Sequence, residues 1–78
     1  MDTESREVIV DARGLPPPEP LNLVLGALES LEARQRVRFL VDREPVPLYR
    51  VLRDDGFVHS ATLLDDGSYA ILISRRGE

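Results

Sequence analysis

Arg6-Glu7-Val8-Ile9-Val10-Asp11-Ala12-Arg13-Gly14-Leu15-Pro16-Pro17-Pro18-Glu19-Pro20-Leu21 sets the architecture of this chain, because it passes in one run from strand to stiff loop to helix. The β-branched residues Val8, Ile9 and Val10 predict a strand over Arg6–Asp11, closed off by the glycine and prolines that follow. Proline fixes φ and has no amide hydrogen to donate, so the segment from Ala12 to Pro20 is neither helix interior nor central strand. It is an extended, preorganised entry into whatever comes next.

What comes next has helical spacing. From Pro20 to about Ala33 the residues Leu21, Val24, Leu25, Leu28 and Leu31 recur at three- and four-residue intervals, which predicts one buried stripe on an amphipathic helix. Glu19 falls where a carboxylate can meet the free amides and positive end of the helix dipole. Leu23 and Ala27 flank the stripe and either widen the core face or leave an apolar patch for a partner. Arg36 to Asp42 alternates and then turns wholly apolar, as a strand entering the middle of a sheet does. A strand, a helix and a second strand in this order predict a right-handed crossover with the strands parallel.

Glu44-Pro45-Val46-Pro47 then opens a second helix, Pro47 to Asp55, with Leu48, Val51 and Leu52 on one face and Gly56 as its stop. Phe57–Leu64 and Ser68–Ser74 read as strands joined by Asp65-Asp66-Gly67, a strong hairpin signal. Arg75-Arg76-Gly77-Glu78 reads as a polar, frayed end. The order β-α-β-α-β-β predicts the α+β class: a two-layer α/β sandwich with a four-stranded mixed sheet and both helices on one face. The other face must then be polar or meet a second copy of the chain.

The chain has 78 residues, 42% of them hydrophobic and 31% charged. That is enough for one modest core and no second domain. The expected layout is an N-terminal tail at 1–5, a single domain at 6–75 and a C-terminal tail at 76–78. No apolar run approaches the roughly 20 residues of a bilayer-spanning helix. Neither a basic nor a hydrophobic leader is visible, so the expected location is the cytoplasm. A net charge of −4 opposes nucleic acid as a partner, since phosphate contacts need a basic surface. Arg36 and Arg38 share one face of a strand, which reads as a solvated surface. With no cysteine, disulfides, thiolate metal sites and thiol nucleophiles are excluded together.

A family resemblance rests on two motifs. Asp11-Ala12-Arg13-Gly14-Leu15-Pro16-Pro17-Pro18-Glu19-Pro20 resembles the Asp-x-Arg-Gly-x-x-Cys-Pro-x-Pro signature of TusA-like sulfur carriers, with Pro17 at the cysteine position. Asp42-Arg43-Glu44-Pro45-Val46-Pro47-Leu48-Tyr49 resembles the Asp-x-x-Pro-x-Pro-Leu segment of a cysteine-free relative, the domain of unknown function family 2249. The resemblance implies the TusA-like sandwich along nearly the whole chain, but not the carrier chemistry. A persulfide requires a thiol, and a pyrrolidine ring has no nucleophilic atom to replace it.

Arg13, Glu19, Asp42, Arg43 and Glu44 are expected to converge at the carboxyl ends of the two parallel strands, beside the prolines Pro17 and Pro18, where α/β sheets commonly take ligands. The alternative is that Arg13 bridges to Asp11 or Asp42 while Glu19 caps its helix. Tyr49 either packs at the core edge with its hydroxyl in water or stands exposed as an anchor for another protein. His59 is the only imidazole, which predicts a surface or cross-strand residue; no metal site and no cofactor are expected. No serine has a base within sequence reach, so no catalytic residue is nominated. The leading expectation is a non-enzymatic protein-binding or adaptor module, with a second copy of the chain as an open alternative partner. The rival is a small-ligand or anion sensor, or an accessory subunit in sulfur or redox metabolism suggested by the resemblance alone.

Overall fold

The computed structural model describes residues 6–77, so the tail expected at 1–5 and the final Glu78 lie outside it. Its elements run β1 (Glu7–Asp11), α1 (Glu19–Glu29), β2 (Arg36–Val41), α2 (Val46–Asp54), β3 (Phe57–Leu63) and β4 (Tyr69–Arg75). The strands form one mixed sheet in the order β1-β2-β4-β3. β1 and β2 are parallel with Val8 beside Val37 and Val10 beside Phe39. β4 runs antiparallel to both β2 and β3, with Phe39 beside Ile71 and Ile71 beside Ala61.

Period two along each strand then decides what is buried. Val37, Phe39 and Val41 of β2 and Ile71 and Ile73 of β4 project to one face, where they join Val24 and Leu28 of α1 and Leu48 and Leu52 of α2 in a single core. One cluster containing both helices means both lie on that face. Phe39, Leu48, Leu52, Ile71 and Ile73 are all within 1% of complete burial, each removing enough apolar surface to stabilise the fold by about 1.5–3 kcal/mol. The opposite face is mixed in character. Arg38 and Glu7 form a two-pronged ion pair across it, Nε to Oε1 at 2.9 Å and Nη2 to Oε2 at 3.0 Å. Ser60, Thr62 and Ser74 lie on the same side as the half-buried Leu40 and Leu72.

Four details depart from the expectations. α1 stops at Glu29 instead of running to about Ala33, because the chain tightens there: Ser30 and Leu31 donate their amides three residues back, to Ala27 and Leu28, both at 3.2 Å. Leu31 continues the apolar spacing from outside the helix and is buried nonetheless. Leu23 is 46% exposed and adds nothing to the core, whereas Ala27 packs against it. Glu19 is the first helical residue and Pro18 the cap position, so no side chain caps α1. Nor do Arg75 and Arg76 belong to a frayed end. Arg75 closes β4, donates from Nη2 to the Leu31 carbonyl at 2.8 Å and lies 5.3 Å from the centre of the Phe57 ring. The Arg76 amide donates to the Gly56 carbonyl at 2.8 Å.

The hairpin forms as predicted, with its type now visible. The Gly67 amide donates to the Leu64 carbonyl and Leu64 donates to Ser68, enclosing Asp65-Asp66-Gly67 with Gly67 at φ +89°. Three-residue hairpins require such a left-handed position, which glycine occupies without a steric penalty. Asp66 supports the turn by accepting from both the amide and the hydroxyl of Ser68, at 3.0 and 2.6 Å.

Candidate functional site: a proline-walled cleft

Between the first turns of α1 and α2, above the carboxyl ends of β1 and β2, the helix layer leaves a cleft of about 650 Å³. Phe39, Val41, Leu21 and Leu48 supply apolar surface to it. Pro17, Pro18, Pro20, Pro45 and Pro47 line it, five of the six prolines in the chain. The composition of these walls has a physical cause. A loop exposed to an apolar cavity must not strand amide donors there, and proline has none to strand. Proline also fixes φ, so the walls hold their shape with little conformational entropy left to lose on binding. The Pro17–Pro18 peptide bond is cis.

The rim is polar and comes from the second loop. Asp42 turns back across the cleft mouth and accepts the Gly14 amide on Oδ2 at 2.7 Å, joining the two loops. Gly14 sits at φ +82°, a left-handed conformation, and this presents its amide to Asp42. Glu44 accepts the Tyr49 hydroxyl on Oε2 at 3.1 Å. Arg43 lines the cleft, is exposed, and forms no ion pair among the described residues.

The expected convergence of five charged residues is only partly met. Asp42, Arg43 and Glu44 border the cleft, together with Pro17 and Pro18; Arg13 and Glu19 do not. Arg13 is drawn off by the residue two positions before it: its Nε and Nη2 donate to the two oxygens of Asp11 at 2.9 and 2.8 Å. Its remaining Nη1 lies 3.8 Å from Asp66 in the hairpin. Of the two bridges weighed for Arg13, the one to Asp11 forms, and Asp42 is left for Gly14. Side-chain and backbone hydrogen bonds from Arg13 hold the Asp11 carboxyl down at about 2.

Tyr49 lies beside the cleft, half-buried against the core. Its ring stacks on His59 with centroids 4.1 Å apart and planes 12° from parallel. Its hydroxyl is not left to water, because Glu44 accepts it; burial first, then that bond, push its pKa up to about 12. His59 is therefore packed against the helix layer from β3, a contact that strand pairing alone does not supply. Sequence reasoning missed the apolar floor. Leu15, an isolated apolar residue between Gly14 and Pro16, was the one signal within the loop that something greasy was being covered. Among the described residues, no group of three or more His, Asp or Glu side chains is placed to hold a metal ion. No helix among them is long and apolar enough to cross a membrane.

The two-layer β-α-β-α-β-β sandwich is the fold of a SirA-like protein. The crystal structure of a SirA-like protein from Desulfitobacterium hafniense superposes with a TM-score of 0.74 at 25% identity, covering 83% of this chain and 92% of that one. The chain belongs to the family described as "Uncharacterized conserved protein (DUF2249)", whose model matches residues 9–75. No curated protein matches it. The TusA-like resemblance read from the proline motifs thus holds for fold and family, in a chain without the sulfur-accepting cysteine.

Proposed function

We propose that this protein is a non-enzymatic binding module whose cleft receives an extended apolar segment of a partner protein. The observation that carries the reading is the cleft itself: an apolar cavity whose walls are stiffened by five prolines and tied together through Asp42 and Gly14. Preorganised walls lower the entropic cost of association, and apolar surface supplies its driving force. Arg43 at the rim, without an ion pair among the described residues, offers its guanidinium to a carboxylate or carbonyl of the incoming segment. The absence of a thiol argues against sulfur transfer. An anion-sensor reading would call on Arg13 and Arg43 together; Nε and Nη2 of Arg13 are already taken by Asp11, which among the described residues leaves Arg43 as the one arginine lining a largely apolar cleft.

Selection of binders from a displayed library of random extended peptides tests this directly. The selected peptides should be apolar, shift the backbone amides of Leu15, Leu21, Val41 and Leu48 in an NMR titration, and lose affinity when Leu21→Glu places a charge in the cleft. A library that yields no binder, or binders whose shifts map away from the cleft, overturns the reading. A thermal-shift screen with oxyanions and nucleotides separates the rival: a ligand at a hundred times its dissociation constant raises stability by about 2.7 kcal/mol, whereas the protein-binding reading expects no response.

A further inference from the structure

The two outer strands of the sheet are built differently. β1 is short and charged at both ends, and Glu7 and Asp11 are each engaged with an arginine. β3 is Phe57-Val58-His59-Ser60-Ala61-Thr62-Leu63, with no charged residue, no proline and no glycine, and it pairs with β4 through all seven residues without a bulge. Edge strands normally carry a lysine, a proline, a bulge or an inward charge that stops further pairing. β3 has none of these. It also exposes two large apolar side chains, Val58 at 41% and Leu63 at 63%.

The hydrogen bonds at the two ends of the β3–β4 pair fix which residues face outward. Leu64 donates to Ser68 at one end and Arg76 donates to Gly56 at the other. In an antiparallel ladder bonded positions alternate, so the even-numbered residues from 56 to 64 bond inward to β4. The amides and carbonyls of Phe57, His59, Ala61 and Leu63 therefore point away from the sheet. These positions are symmetric about Ser60. A second β3 laid antiparallel across a two-fold axis at Ser60 meets each outward residue with another: Phe57 with the partner's Leu63, His59 with the partner's Ala61. Val58 falls opposite the partner's Thr62 on the other face, and no like charges meet within the strand. His59, Ala61 and Leu63 are exposed on the helix side, where α2 meets the strand through the stack of Tyr49 on His59 and leaves Ala61 and Leu63 uncovered.

From this geometry we infer that β3 is a homodimerisation edge, pairing with a second copy of the chain in the register centred on Ser60 to give a continuous eight-stranded sheet. Such an isologous contact satisfies four donors and four acceptors per copy and sets Leu63 beside the partner's strand at its Phe57 position. It leaves the cleft free, so it stands apart from the proposed binding function.

Sedimentation equilibrium from low micromolar to about 1 mM, with amide exchange read at both extremes, tests the inference. The expected result is a monomer–dimer equilibrium in which the amides of His59 and Ala61 gain protection with concentration. Ala61→Pro deletes an outward donor at a position where an edge strand tolerates proline, and should weaken association by about tenfold or more without unfolding the monomer. Ser60→Lys puts like charges together on the two-fold axis and should also weaken it, while a mixture of Ser60→Lys and Ser60→Glu chains should restore it. A wild-type chain that stays monomeric throughout, or a dimer indifferent to all three substitutions, overturns the proposal.

Discussion

The loops that follow the two parallel strands look alike in sequence and behave differently in the molecule. Each begins with an aspartate at the strand end, Asp11 or Asp42, and each runs through prolines into a helix. Asp11 is engaged locally, by Arg13 two residues on. Asp42 reaches across 28 residues to the Gly14 amide and binds one loop to the other. The lesson is that a carboxylate at the end of a strand takes its role from the nearest unsatisfied donor. In the first loop that donor is a guanidinium, and in the second it is a backbone amide from a neighbouring loop.

The sharpest way to separate the loops is to remove what anchors each. Leu48, 1% exposed, holds the second loop and the start of α2 against the sheet. Leu48→Ala should cost about 2–5 kcal/mol in urea unfolding, because it leaves a cavity as well as losing buried surface. The first loop is anchored instead by conformation. Gly14→Ala meets no atom within 4 Å, but it forces a side chain onto φ +82° and should cost about 1–2 kcal/mol. A cost near zero would mean the loop relaxes and the bond from Gly14 to Asp42 is not holding it.

Next comes the link itself. Asp42→Ala should destabilise by about 1 kcal/mol and speed exchange of the Gly14 amide, with Asp42→Asn retaining part of the protection through its carbonyl oxygen. Asp11→Ala should leave that exchange unchanged; if it does not, the two aspartates do not have separate roles. Titration gives the smallest effect. The Asp11 carboxyl should titrate near 2, below the ordinary 3.8, and Arg13→Ala should return it toward that value. A depressed folded-state pKa contributes stability that is complete above the ordinary value and fades as pH falls from about 4 to 2. Tyr49 works in the opposite direction. Its pKa, raised to about 12, gives stability that is complete below 10.0 and lost as pH rises from there to 12, which the ultraviolet absorbance of the phenolate reads directly.

Much of this was legible beforehand because it depends on neighbours in the chain. The strand periods, the stripe from Leu21 to Leu28, the Gly56 stop and the Asp65-Asp66-Gly67 turn are all local patterns, and each formed within a residue or so of its predicted bounds. The end of α1 was misread because Leu31 keeps helical spacing without being helical. The site was legible only in part. The proline loops pointed to the right end of the sheet, whereas the charged residues suggested a mixed-charge pocket where the structure has an apolar one. Phe39 and Val41 read simply as core, and they are buried, but nothing local in their pattern shows that a cleft opens beside them.

By itself the sequence determined the class of fold, the stiffness of both loops and the lack of a thiol at the signature position, because these follow from periodicity, from a ring that fixes φ and from the residue that stands there. Only the tertiary structure decided which donor each aspartate meets, where the apolar floor opens and which amides of β3 face outward. Those outcomes depend on contacts between residues far apart in the chain, and no local preference encodes them.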